Sequence, residues 1–308
     1  MSEGLISFPA LKKQSWPSPE GGFALLGFEA FLMRYFKLSC LDNNCMRGLM
    51  WISINIGRSI LLLKRQTYLL GILVLSGVLL AQSISKIGEI KTPEGYNRIE
   101  YETDSYPSFL RNLNLKEGKE ILKWDGQVLP SSWALYDVMA VLDLPLLYNQ
   151  DLEQCADFSM RLWSEYLKAE NKLDQLALFD YNGNPKRFMD SGKSFKSYLQ
   201  WHMAYSNSHS IKKGARKISP ADLQPGDMFV QNESGEIGHV SVIVDAAENA
   251  TGERVFLIGF GYMPAQEFHI EEAKNRLGHG GWFTLEGYLN FLDGLQFSHY
   301  GKPLLMRY

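Results

Sequence analysis

Cys155 is the only cysteine beyond residue 45 of the 308-residue chain, and it sits in the stretch "QDLEQCADFSMRLW". Cys155, Phe158, Leu162 and Tyr166 recur at helical spacing, and Asp151 with Gln154 forms a capping-box pattern that places the thiol in the first helical turn. The start of a helix offers unpaired N–H groups and the positive end of a dipole, and both favour a thiolate. A thiolate beside an imidazole is a nucleophile for acyl transfer. Of the six histidines, His239 is best placed to supply that imidazole, because it opens an apolar strand directly after Gly238. On such a strand residues 239, 241, 243 and 245 share one face. The bland alternative is packing, since free cysteine is among the most buried residue types.

The elements that must position these residues are legible in outline. Residues 90–308 contain no repeat, charge block or Pro/Ser-rich linker and are read as one domain. A short helix is expected near 108–112, a strand at 120–124 closed by Asp125-Gly126, and an apolar strand ending near Asp143. After the Cys155 helix, "SFKSYLQWHMAY" predicts a second helix over 194–205. Strands then begin at Gly226, His239 and Arg254, separated by turn residues, and predict an antiparallel meander with the central helix packed on it.

Ahead of the domain, Lys64 and Arg65 precede an uncharged run from Gln66 to Ser85, with Ala81 and Ser83 at the spacing a signal peptidase prefers. Residues 60–85 are therefore read as a signal peptide or an uncleaved signal anchor, and residues 1–59 as an extension outside the working protein. Either way the domain is expected to be exported, to the periplasm or the extracellular space, with membrane contact only through the anchor if cleavage fails. The formal charge of -3, from 31 basic and 34 acidic residues, argues against nucleic acid as a partner.

The runs "QCADF", "PGDMFVQ" and "GHVSVIV" occur in the order in which NlpC-type papain-like cysteine peptidases carry their cysteine, Gly-Asp and His-Val segments. Gln154 stands where those enzymes have aspartate, and Ala156 and Asp157 stand where they have serine and glycine. A closer resemblance, over residues 95–290, is to the secreted bacterial family known as domain of unknown function 4846. It is carried by "FLRNLNLK", "DLEQCADFSMRLWSEYL", "LQPGDMFVQ", "GHVSVIVDAAENATGERVFLI" and "YMPAQEFHI". Phe260 stands where relatives have a polar residue.

The NlpC-type resemblance implies an α+β fold with a papain-like core, a central helix packed on a small antiparallel sheet. It further implies a site in which Cys155 is the nucleophile, His239 the general base and acid, and Gln266 or His269 the group that orients the imidazole. Gln154 and Tyr262 are the expected substrate-binding residues. The reaction would be hydrolysis of amide bonds in cell-envelope peptides or peptidoglycan, with no cofactor. The rival is a non-catalytic envelope module that binds peptide or glycan on a degenerate frame. A metal centre from His239, His269 and Asp245 lacks the HExxH or paired-cysteine spacing such sites show, so no metal is expected.

Overall fold

The computed structural model describes residues 84–130, 137–294 and 296–308. The signal-like run up to residue 83 and the extension before it lie outside the described residues. In chain order the elements are β1 (Tyr96–Arg98), α1 (Tyr106–Arg111), β2 (Val138–Val141), α2 (Cys155–Ala169), β3 (Ala177–Phe179), β4 (Pro185–Arg187), α3 (Phe195–Tyr205), α4 (Ser208–Gly214), β5 (Arg216–Lys217), β6 (Met228–Gln231), β7 (His239–Asn249), β8 (Arg254–Phe260), β9 (His269–Glu271), β10 (Gly278–His279), β11 (Trp282–Thr284), α5 (Leu285–Leu292) and β12 (Leu304–Arg307).

Side-chain caps explain the helix starts. Ser105 accepts from the Ser108 N–H at α1, where Pro107 occupies the first turn, and Ser194 and Thr284 do the same for α3 and α5. The meander is present: β6, β7 and β8 pair antiparallel in sequence order. It is the centre of a much larger assembly. One sheet of ten strands runs β10-β11-β8-β7-β6-β12-β5, with β1 on β7 and the β9–β2 pair on β8; only β3 and β4 form a separate ribbon.

This architecture corrects the expected papain-like core. Among the described residues the fold is mostly antiparallel sheet with few helices, and no small sheet carries a central helix in the papain manner. The physical reason is the length of the added strands. β1, β9, β11 and β12 have three or four residues each, too few for alternation to show in sequence, and they are strands only because neighbouring strands of the sheet bond them. The expected strand at 120–124 is a tight turn with isolated bridges from Leu122 to Val128 and from Lys123 to Gln266.

The sheet separates two apolar clusters. Val240, Val242 and Val244 of β7 face α2, where they meet Ala156, Phe158, Met160 and Leu162 together with Phe268 and Ile270. Phe229, Ile243, Ile258 and Phe260 face the other way, toward Tyr288 and Leu292 of α5 and toward Phe297 and Tyr300. β7 is consequently buried on both sides from His239 to Ala247. A bulge between Ile243 and Asp245 turns Asp245 to the α1 side, where its carboxylate meets Arg98 at 2.7 Å and Arg111 at 2.6 Å. Among the described residues no helix is long and apolar enough to cross a membrane.

Candidate functional site

Two short-range contacts set the start of α2. Gln154 is the N-cap, and its backbone N–H donates to Asp157 Oδ2 at 2.9 Å. Asp151, expected to cap the helix, accepts from the Ala265 N–H at 2.6 Å and from Gln154 Nε2 at 3.0 Å, so it ties the approach of the helix to the 262–266 corner. Gly238 lets the turn into β7 close against the end of β6 and the first residue of α4. A Cβ at that glycine would stand 2.2 Å from the Gln231 carbonyl oxygen and 2.4 Å from Ser208 Oγ.

Cys155 is the first residue of α2 and is buried. Its thiol points to the Gly238 carbonyl oxygen, 3.8 Å away, and the Val240 N–H is directed at the sulfur. Burial pushes the thiol up to about 12, against the pull of that N–H and those of the helix start. Desolvation therefore outweighs the dipole that the sequence pattern emphasised, and near neutral pH the group is a thiol.

The histidines occupy the other face of the sheet. The His239 ring is buried 4.4 Å from Phe297 and 4.9 Å from Phe260, centroid to centroid, and burial, helped by nearby His269, holds it down to about 3. His269 lies 4.5 Å from the other side of Phe260, and burial holds it down to about 3 as well. Its Nε2 is 3.6 Å from Glu271 Oε2. Burial pushes Glu271 up to about 9 even though its carboxyl accepts the Asp137 N–H at 2.6 Å. All three groups are uncharged near neutral pH.

The structure thus brings Cys155 and Gln154 together with Gly238 and, through Asp151, with the 262–266 corner. It does not bring the sulfur and the imidazoles onto one face. The alternation of β7 that puts Val240 against α2 puts His239 away from it, and the alternation of β9 does the same to His269 relative to Phe268 and Ile270. Tyr262 belongs to the far face, where its hydroxyl lies 2.9 Å from that of Tyr300. Gln266 is buried at the corner and donates to the Pro264 carbonyl at 3.2 Å. Asp245 is held by two arginines, which removes it from the triad considered for a metal, and among the described residues no group of three His, Cys, Asp or Glu side chains could hold one.

Sequence reasoning missed the rim around this helix start. Asn232 shapes the 232–238 loop by accepting from the Gly235 N–H and donating to the Glu236 carbonyl, and the loop leaves Ile237 63% exposed beside Gly238. The signal was an isoleucine inside the polar turn "NESGEIG". Gln154 is half-buried and Asp151 is exposed at the approach to α2.

A profile of the family described as domain of unknown function (4846) matches residues 87–191 and 180–301. No curated protein and no solved structure matches the chain.

Proposed function

We propose, taking as premise that this chain belongs to the family described as domain of unknown function (4846), that it is an exported, non-catalytic module that binds cell-envelope peptide or glycan. The observation that carries the reading is the placement of the Cys155 thiol against the Gly238 carbonyl, with the His239 ring on the opposite face of the sheet. A nucleophile and its base must lie within hydrogen-bond reach, and a thiol raised to about 12 by burial is a poor source of thiolate. Binding asks less of the same region. The region offers an exposed aliphatic side chain, Ile237, next in the chain to Gly238, and the carboxylate and amide of Asp151 and Gln154 just ahead of α2, a mixture of apolar and polar groups suited to a peptide or a sugar face. Export rests on the basic pair and apolar run over residues 60–85.

The test is titration calorimetry of the protein with soluble peptidoglycan fragments, alongside chromatography of the fragments after long incubation. Ile237→Asp is expected to weaken binding about tenfold, the equivalent of roughly 1.4 kcal/mol, and Cys155→Ala to leave it unchanged. Cleavage products that appear with wild type and vanish with Cys155→Ala would overturn the binding reading in favour of a cysteine hydrolase.

A further inference from the structure

The lobe made by the β3–β4 ribbon, α3, α4 and β5 differs in charge from the rest of the molecule. Between Ala177 and Lys217 the chain carries eight Lys and Arg residues against two acidic residues, Asp180 and Asp190, although the whole chain has a net charge of -3. Some of these cations are engaged: Lys186 pairs with Asp180 at 3.2 Å, and Lys212 donates to the Asn232 carbonyl at 2.6 Å. Lys193, Lys213, Arg216 and Lys217 are exposed, and no carboxylate bridges them among the described residues.

The same lobe turns apolar side chains to water. Tyr205 is 66% exposed and Met189 60%, and the half-buried Trp201 ring lies 5.5 Å from that of Tyr205, one turn away on the solvent face of α3. The pieces are packed as one body. The Tyr198 hydroxyl accepts from the Leu178 N–H and donates to the Lys186 carbonyl, Phe188 packs on Phe195 and Tyr198, and Gly183 lies against the backbone of Lys213.

Exposed cations in the same lobe as exposed Met189 and Tyr205 and the half-buried Trp201 match the interfacial layer of an anionic bilayer. There, ammonium and guanidinium groups meet lipid phosphates, and amphipathic rings settle at headgroup depth. A water-soluble polyanion would satisfy the lysines and leave Met189 and Tyr205 in water. We propose that this lobe docks on the surface of a membrane that contains anionic lipid, a contact separate from the rim at the start of α2.

Co-sedimentation of the full chain with phosphatidylcholine vesicles, with and without phosphatidylglycerol, tests this at low and high salt. The apolar run near residues 66–85 is the same in every variant, so the quantity read is the difference between the two vesicle types. Wild type is expected to prefer the anionic vesicles, and added salt to erase the preference. Replacing Lys193, Lys213 and Lys217 together by Gln is expected to reduce anionic-vesicle partitioning about a hundredfold, on the usual contribution of a basic residue near such a surface. Met189→Ser with Tyr205→Ser is expected to lower it several-fold further, with the melting temperature of each variant unchanged. Equal partitioning of wild type to both vesicle types, or a triple lysine variant that keeps the preference, sinks the proposal. So does a Met189/Tyr205 variant that binds as wild type while soluble polyphosphate displaces both, which would identify a polyanion site instead.

Discussion

Two clusters of buried titratable groups, one on each face of the central sheet, are accommodated by opposite means. On the helical side two carboxylates are paired with arginine: Asp245 sits between Arg98 and Arg111, and Glu153 meets Arg161 at 2.5 Å while also accepting the Leu147 N–H at 2.8 Å, whereas burial keeps Cys155 and Asp157 at the start of α2 protonated. On the far side they are discharged: His239 and His269 lie against Phe260, Glu271 lies 3.6 Å from His269, and burial penalises the ionised form of all three. Paired charges fix geometry strongly because removing one partner strands the other. Discharged groups make stability depend on pH.

The sharpest way to break this contrast is Asp245→Ala, which leaves two arginines on the helical side without their carboxylate. It is expected to destabilise the fold by about 3 kcal/mol, read as a lower midpoint in urea unfolding. A loss below about 1 kcal/mol would mean that water, not Asp245, solvates those guanidinium groups.

The far face gives the next effect, in the pH profile of the melting temperature. His239 and His269 are lowered from about 6.5 in an unfolded chain to about 3, so between those values the unfolded chain binds more protons and stability is lost as pH falls. Glu271 is raised to about 9, so the folded state holds its proton and stability is lost as pH climbs from the ordinary carboxylate range toward 9. Glu271→Gln is therefore expected to flatten the alkaline limb and leave the acid limb in place, while His239→Phe flattens part of the acid limb. A Glu271→Gln profile identical to wild type would place that carboxylate in water.

The smallest effect concerns Cys155. Labelling with iodoacetamide at pH 8 is expected to be far slower in the folded protein than in urea, and Cys155→Ala to cost about 1 kcal/mol or less beyond the lost packing of a small side chain. Rapid labelling of the folded protein would mean that the thiol is reached from the Ile237 rim.

Local signals carried a good part of this organisation. The α3 helix with its Ser194 cap, the thiol in the first turn of α2 and the β6–β8 meander all follow from residues close in sequence. The cap of α2 was displaced by three residues, because Asp151 found a distant donor in Ala265 and left the capping to Gln154 and Asp157. The wide sheet was illegible because its flanking strands are very short and two of them depend on partners more than a hundred residues away, as Tyr96 does on Asn249 and Val141 on His269. The candidate pair failed for a similar reason. Sequence places a histidine at a strand start and a cysteine at a helix start, but which face each side chain takes follows from the register of Val240 against α2.

The long-range pairing of β1 with β7 and of β12 with β6 has a kinetic consequence. The hairpins of the meander close over short loops, whereas the outer strands must wait for ends of the chain far apart in sequence to meet, at a cost in chain entropy that slows their arrival. The protein is expected to fold from the middle of its sheet outward, with an early state whose meander is formed while the edges of β6 and β7 remain open to any strand that reaches them first.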